Sequence, residues 1–455
     1  MRNLIRKSNR LLVLSGLFLL AASSVAQTQR LTVSQAVAIA LEKSPSHKIA
    51  LAEQIAAGAG VKEAKTAYLP HVAFSESAMA GNDPVFAFGT RLRQGRFTAN
   101  DFALTSLNYP DTIGDFNTKV GGQWTLFDSF STKLQVDRAG LMKKSADLQL
   151  ARSDQELVYR VVGSYYDLMF AAKQAELAEQ TVKTAEALVS SSRARVESGM
   201  AVDSDLLSAQ VNLASRQQEL IRARSAVSLA RTQLETVLGT PLPPDVQLVE
   251  ALKDKSWPDV VLTEAEQQAQ KERADLQQVS TQVTAQETGV KLAKAAFGPQ
   301  VNVFGSWQRD NVSLFANGNS NWVAGAELKI DLFPSDKLAR LQRERAMLTR
   351  AEAYKQSAQD NVRLDVRRAY YQYDAARQML EVARSSVTQS EESLRIVKNR
   401  YDSGLTTITD MLQAEDAERS SRNNYWQSVY QYAVSFAALQ LATGDLNSQS
   451  PVVQQ

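Results

Sequence analysis

A short pattern of residues occurs twice in this chain, as residues 195–207 and again as residues 400–412. Gly199 and Gly404 each follow a helical run, and glycine typically ends a helix because it enters the left-handed region freely. The Ser or Thr and the Asp after each glycine are typical of the cap of a following helix. The same offset of 205 residues joins Gly239 to Gly444. The chain is therefore predicted to be a duplicated unit, with a tight helical turn in each copy.

Residues 1–26 have the form of an export signal. Four cations precede an apolar run from Leu11 to Ala22, and small residues end the segment. The run is too short to remain as a membrane anchor. Cleavage subtracts these four cations from 51 Lys and Arg and leaves 47 against 49 Asp and Glu. A near-neutral mature chain argues against a nucleic-acid partner, because no basic excess exists to neutralise phosphates.

Residue types that carry chemistry are scarce. The chain has no cysteine, so an exported form would depend on packing and assembly rather than on disulfides. Its two histidines, His47 and His71, have no second ligand at metal spacing. The glycines stand singly rather than in a phosphate-binding loop. No later segment has about twenty consecutive apolar residues. The sequence thus predicts no enzyme, no cofactor, no metal and no membrane-spanning helix.

Apolar periodicity changes from helical to alternating once in each half of the chain. Over residues 321–332, Trp322, Leu328 and Ile330 fall on one face, and charged residues fall on the other. The predicted strands cover about residues 70–79 and 117–127 in the first half, and 300–309 and 321–332 in the second. Residues 80–116 are predicted as a long loop, which in compact domains is usually functional or disordered.

Each strand pair leads into a very long helix, predicted over residues 129–197 and 335–402. Both carry a seven-residue apolar spacing, which indicates a coiled coil, and each would extend for about 100 Å. The predicted organisation is a first repeat (27–240), a linker rich in proline (241–262), a second repeat (263–445) and a flexible tail (446–455). The linker is expected at mid-height of the rods, where the shorter helices meet end to end.

Four strands are too few to close a barrel, which needs about eight or more. Open sheet edges are not tolerated in lipid, so strands that enter a membrane must be pooled between chains. This conditional argument predicts an oligomer. A periplasmic coiled-coil scaffold, an interaction protein without a pore, would also explain the rods. It would not explain alternating strands placed identically in both halves.

The export signal, the twofold helix–strand–strand–helix–turn–helix plan and the two glycine turns resemble the TolC family of bacterial outer membrane efflux proteins. The resemblance extends over residues 31–445. It implies a mainly α fold with a small β part, in which a long coiled-coil α-barrel in the periplasm is continued by a transmembrane β-barrel shared between three subunits. It also implies a homotrimer in outer membrane lipid, acting as the passive exit duct of a tripartite efflux pump or type I secretion system. The implied partners are a periplasmic adaptor and an inner membrane transporter.

The resemblance further implies an adaptor docking site and a channel gate. The docking site at the periplasmic tip comprises Ser198, Gly199, Met200, Ser403, Gly404 and Leu405. The gate comprises Asp205 and Tyr401, which match a link between neighbouring helices, and Asp410, which matches an inward-facing aspartate ring. Three such carboxylates would attract cations. The chain departs from the best-described gates at Thr406, where they carry arginine, and at Gln413, a second ring position.

Each of these residues also has an interpretation that needs no function. Asp410 can be a helix N-terminal charge that the macrodipole favours. Tyr401 lies on the coiled-coil seam and can be a core residue, and the two glycines can be simple helix caps.

Overall fold

The computed structural model of the chain describes residues 30–244, 246–249 and 252–454. The export signal predicted over residues 1–26 lies outside this part. Across the described residues, none of the helices is both long enough and apolar enough to span a membrane. The architecture is the predicted mainly α fold with a small β part.

The elements follow the duplicated plan. The first repeat contains β1 (Arg30–Leu31), α1 (Val33–Lys43), α2 (Pro45–Thr66), β2 (His71–Gly81), α3 (Pro84–Arg93), α4 (Leu104–Asn108), β3 (Ile113–Phe127), α5 (Ser131–Glu197) and α6 (Asp203–Leu238). The linker and the second repeat contain β4 (Gln247–Leu248), α7 (Leu262–Glu272), α8 (Ala274–Ala295), β5 (Gln300–Asn311), β6 (Asn319–Lys329), α9 (Ser335–Asp402) and α10 (Ile408–Thr443). The stretch predicted as a loop over 80–116 is folded in large part, since it contains α3, a 3-10 turn (Ala99–Phe102) and α4.

The shorter helices meet end to end at two glycines. Gly239 ends α6 with φ of 72°, and a Cβ there would lie 2.9 Å from the carbonyl oxygen of Lys43 and from the Pro45 ring. Gly444 ends α10 with φ of 88° and lies in the same way against Arg273. The first junction exists because Pro45 ends α1. The second junction lies at Arg273, where α7 ends and α8 begins.

Strands β2, β3, β5 and β6 form one antiparallel sheet in that order. Direct pairing places Phe74, Val120, Trp307 and Trp322 in one row across all four strands. Phe74 is 70% exposed and Trp322 is 79% exposed, so this apolar face is uncovered in the single chain. The opposite face carries a polar row of Ser75, Lys119, Gln308 and Asn321. In the described part of the chain, β2 and β6 are the open edges of this sheet.

The main hydrophobic core lies at the middle of both long helices. It takes residues 157–171 of α5 and 362–380 of α9, together with parts of the shorter helices. The linker covers this region, where Trp257 is buried and stacks on Phe436 at 4.9 Å between ring centroids. A short parallel pairing of β1 with β4, which the sequence does not predict, joins the linker to the start of the first repeat. The buried Tyr165 hydroxyl donates to the Leu31 carbonyl oxygen at 2.7 Å and fixes this start against α5.

The C-terminal segment packs against the same core. Leu446, Val452 and Val453 are fully or almost fully buried. The Ser450 hydroxyl donates to the Asp445 carbonyl oxygen at 3.1 Å and folds the segment back on itself. Three apolar side chains thus pack the described residues of the segment 446–455, which the sequence predicts as a flexible tail, against the core.

The junction at Gly239 gives a test of the end-to-end packing. Gly239→Ala should lower the thermal unfolding midpoint of the purified protein well beyond Gly199→Ala. Both substitutions cost about 1–2 kcal/mol for a left-handed alanine. Only the first adds a clash with backbone, because a Cβ at Gly199 would meet no atom within 4 Å. Equal shifts in the unfolding midpoint for the two variants would contradict the packing at Gly239.

Candidate functional site

The two glycine turns have the same backbone structure. Gly199 and Gly404 have φ of 74° and 72°. In the first turn the Met200 N–H donates to the carbonyl five residues earlier at 2.8 Å, and the Leu405 N–H makes the same bond in the second turn, also at 2.8 Å. These bonds are those of a helix C-cap that needs a left-handed glycine. The duplication in sequence is therefore a duplication of backbone geometry.

The predicted docking residues lie together at this end of the molecule and are exposed: Ser198, Gly199, Met200, Ser403, Gly404 and Leu405. Met200 is 74% exposed and Leu405 is 69% exposed. Each turn thus presents one large apolar side chain beside a small polar one. Such an arrangement can contact a partner without disturbing the helices behind it.

Arg195 joins the two turns and was not predicted as a site residue. Its guanidinium donates to the Tyr401 carbonyl oxygen at 3.2 Å and pairs with the Asp402 carboxylate at 3.1 Å. It also covers the Tyr401 ring, with 4.7 Å between the guanidinium carbon and the ring centroid. A cation over an aromatic ring contributes about 0.5–1 kcal/mol at such a site. Arg195 occupies the repeat position of Arg400, but that match alone does not indicate a contact between the two turns.

Tyr401 is a buried residue, 6% exposed, and it packs with Leu188, Ala209, Ile408 and Met411 in a small cluster behind the turns. The core interpretation of its ring therefore holds in the single chain. Asp205 is half-buried at the start of α6. Within the described chain, no hydrogen bond joins Tyr401 to Asp205, so the Tyr–Asp link stays a prediction.

Asp410 caps the helix that follows the second turn. Its Oδ2 accepts hydrogen bonds from the Thr406 hydroxyl at 2.7 Å, the Thr407 hydroxyl at 2.8 Å and the Thr407 N–H at 3.1 Å. These bonds, led by that from Thr406, hold the pKa of Asp410 below its usual value. Thr406 thus stabilises the ionised form of this exposed carboxylate. Gln413 is exposed on the next turn of α10.

A second set of contacts joins the α5–α6 hairpin to the α9–α10 hairpin, farther from the turns. Arg216 on α6 is 7% exposed, pairs with Glu219 at 3.0 Å and also contacts Asp416 on α10. Arg419 on α10 lies 3.5 Å from Glu219 in return. A buried arginine needs such partners, because breaking one of them would leave a charge uncompensated. Contacts at Arg195 and Arg216 therefore hold the hairpins together at two levels.

The sequence profile of the outer membrane efflux protein family matches residues 36–240 and 265–445, which is most of the chain. The chain belongs to this family. The gap between the two matched ranges falls on the linker predicted over 241–262. The match confirms the resemblance to the TolC family that the duplicated plan indicated.

Known relatives extend over nearly the whole chain. Protein CyaE of Bordetella pertussis is 25% identical over 421 residues, which is 91% of this chain and 84% of that protein. The Campylobacter jejuni CmeC outer membrane channel has a TM-score of 0.76 at 17% identity, over 92% of this chain and 87% of that one. The open state of the Neisseria gonorrhoeae MtrE outer membrane channel has a TM-score of 0.74 at 18% identity, over 92% and 91%. The fold is that of these channels.

Membership in the family assigns this protein to the outer membrane and to transport. As an outer membrane efflux protein it is a channel, which confirms the functional prediction over the alternative of a scaffold without a pore. The long helices lie on one side of the four-stranded sheet, and the two turns lie at their far end.

The contacts of Arg195 give a test of how the two turns are held. Arg195→Ala should speed backbone hydrogen exchange in residues 398–411 by about fivefold, because it removes about 1 kcal/mol that opposes local opening. Exchange in residues 157–171, in the main core, should not change. Arg193→Ala is the matched control, because Arg193 is exposed on the same turn of α5. Equal exchange in both variants and the wild type would show that Arg195 does not hold the second turn.

Proposed function

We propose that three copies of this chain pool their sheets into one twelve-stranded barrel in the outer membrane. The observation that carries this proposal is the four-stranded sheet with its exposed apolar face and its two open edges. Backbone groups at an open edge have no partner in lipid, so the edges must be paired between subunits. The apolar row of Phe74, Val120, Trp307 and Trp322 then faces lipid, and the polar face lines the lumen.

Strand directions permit this closure. All neighbouring strands in the sheet are antiparallel, so β2 and β6 run in opposite directions. The β6 edge of one subunit can therefore pair antiparallel with the β2 edge of the next. Three such junctions join twelve strands. Because twelve is an even number, every pair of neighbouring strands in the closed barrel is antiparallel.

The helices offer matching surfaces between subunits. Leu207, Val211, Ile221 and Leu229 lie within one helical stripe of α6 and are all more than half exposed. Met379 and Val382 on α9 are exposed to a similar degree. We assign these surfaces to the neighbouring subunits, so that the helices continue the barrel as a tunnel in the periplasm. A soluble monomer would leave these side chains in water.

The proposed mechanism is passive conduction. An inner membrane transporter delivers cargo, and a periplasmic adaptor docks on the exposed turns at Met200 and Leu405. The same duct can serve a tripartite efflux pump or a type I secretion system. Opening moves the α9–α10 hairpin away from the α5–α6 hairpin, which requires the contacts of Arg195 and Arg216 to break. Three Asp410 carboxylates form a negatively charged ring at the constriction.

Extraction and mass measurement test the assembly. The protein should need detergent for release from cell envelopes, and its mass without bound detergent should be that of three chains. The purified protein should conduct ions in planar bilayers. A monomer that washes off with the soluble periplasm and does not conduct would instead establish a scaffold and refute the channel.

The predicted gate has its own test in the same bilayers. The double variant Tyr401→Phe, Asp205→Ala should raise the conductance of the closed channel, because it removes the proposed bond between the tyrosine hydroxyl and the carboxylate of a neighbouring subunit. Phenylalanine keeps the buried ring in its cluster and beneath Arg195. Asp203→Ala is the control, since Asp203 is an exposed acid in the same first turn of α6. An unchanged closed-state conductance in the double variant would refute the assignment of the gate.

A further inference from the structure

The chain between β2 and β3 folds into a small unit, residues 83–112, which we call the outer cap. The Phe97 ring lies edge-on to Phe88 and Phe102, with centroid distances of 4.8 Å and 5.1 Å. Thr98 and Asp101 close a capping box at the 3-10 turn. Asp83 caps α3 through a bond from the Phe86 N–H at 2.8 Å. The outer cap therefore has an internal structure of its own.

Gln94 fastens the outer cap to the sheet. Its side-chain amide nitrogen lies 2.9 Å from the Gly114 carbonyl oxygen, 3.1 Å from the Asp115 carboxylate and 3.1 Å from the Asn311 carbonyl oxygen. The side chain is almost fully buried. One NH₂ group thus lies among three acceptors from β3 and β5, at the strand ends farthest from the long helices.

Two buried carboxylates at the same strand ends have partners in the outer cap. Asp310 and Asp115 are 0% and 1% exposed, and the Arg93 guanidinium lies 3.9 Å from the Asp310 carboxylate. Buried carboxylates are costly unless hydrogen bonds and opposite charges compensate them. Within the sheet, the Asn117 side chain donates to the Asp310 carboxylate at 2.9 Å, and the outer cap adds compensation through Arg93 and Gln94.

The outer cap lies on the polar face of the sheet. Asp115 shares its face with Lys119, and Lys119 is paired through Gln308 with Asn321. The Asn321 side chain donates to the Arg93 carbonyl oxygen at 3.3 Å, which brings α3 over that face. The row of Trp307 and Trp322 lies on the opposite face. A unit held on the polar face at the far strand ends lies in the mouth of the barrel, since the polar face lines the lumen.

We propose that three outer caps constrict the outer mouth of the channel, that Gln94 holds each of them in place, and that they set a size limit for departing cargo. This inference rests on the proposed shared barrel. The outer cap also has large apolar side chains that are more than half exposed, namely Val85, Phe102, Leu104 and Tyr109. In one mouth, these side chains give the three outer caps surfaces with which to contact each other.

Exclusion of neutral polymers from each end of the channel tests the proposal. Channels in planar bilayers are exposed to polyethylene glycols of increasing size, added from the outer or the periplasmic side, and a polymer that enters lowers the conductance. Gln94→Ala should raise the size of the largest polymer that enters from the outer side. The size limit from the periplasmic side should not change, because the turns are untouched.

A variant whose effect is reversed by a change of pH distinguishes loss of the Gln94 contacts from misfolding of the protein. Gln94→Glu has the same shape, but it replaces the amide NH₂ with an oxygen that faces three acceptors. Burial beside Asp115 raises the pKa of a carboxyl at this position, so it can still donate a proton until the pH is well above that of a free glutamate. The facing charges are Asp115 on β3, Asp310 on β5, and Arg93 and Arg96 on the outer cap. The outer size limit should exceed that of the wild type at pH 9, where the carboxylate is ionised, and return towards it at pH 5, where the protonated glutamate can donate. The wild type at both pH values controls for effects of pH that do not arise from the substituted residue.

Gln123→Glu is the matched control. It places the same new charge on the same face of β3, eight residues beyond Asp115, and its outer size limit should equal that of the wild type at both pH values. Conducting channels whose outer limit is unchanged in both Gln94 variants would overturn the constriction and leave the proposed function standing. Failure of the wild type to conduct would overturn the proposed function, and this inference would fall with it.

Discussion

Unpaired backbone groups at the two edges of a four-stranded sheet are the constraint on which the rest of this structure depends. In lipid, each such group costs several kcal/mol. The strand order β2-β3-β5-β6 leaves one edge in each repeat. In lipid, duplication alone would therefore leave the two sheet edges unpaired, and the proposed assembly supplies the missing partners from further copies of the chain. In the proposed assembly, both the oligomer and the continuous lumen follow from this one requirement.

The tip of the molecule meets a different requirement in the proposed mechanism, in which contacts there must hold and also release. Arg195 binds the second turn through a carbonyl, a carboxylate and a ring face, each of which is a modest contact near water. Arg216 is more deeply buried and has acidic partners on two helices. A docking partner that breaks the contacts of Arg195 first would meet a low barrier. The more buried contacts at Arg216 then limit how far the hairpins separate.

Sequence periodicity predicted most of the fold, because long helices and alternating strands repeat a simple pattern many times. It failed where a single residue or a short segment decides the structure. The helical periodicity of the sequence gives no sign of the break at Arg273, where the backbone lies against Gly444 at the end of α10. The helices of the outer cap are too short for a periodic pattern to be recognised. Val452 and Val453 are two apolar residues in an otherwise polar C-terminal segment, so no pattern indicates that they are buried. At the tip, the resemblance supplied Tyr401 and Asp410, but the role of Arg195 depends on a contact between repeats that no local pattern encodes.

The two turns have the same backbone geometry, but only the helix after the second turn begins with a side-chain cap. Thr407 and Asp410 close a capping box at the start of α10, whereas Val202 at the start of α6 has no side-chain cap. The proposed threefold assembly would thus carry six turns in two alternating classes, one followed by a helix with a side-chain cap and one by a helix without it. A partner that approaches with sixfold symmetry would not find six equal sites. Its binding would proceed unevenly around the ring, with the uncapped turns yielding before the capped ones.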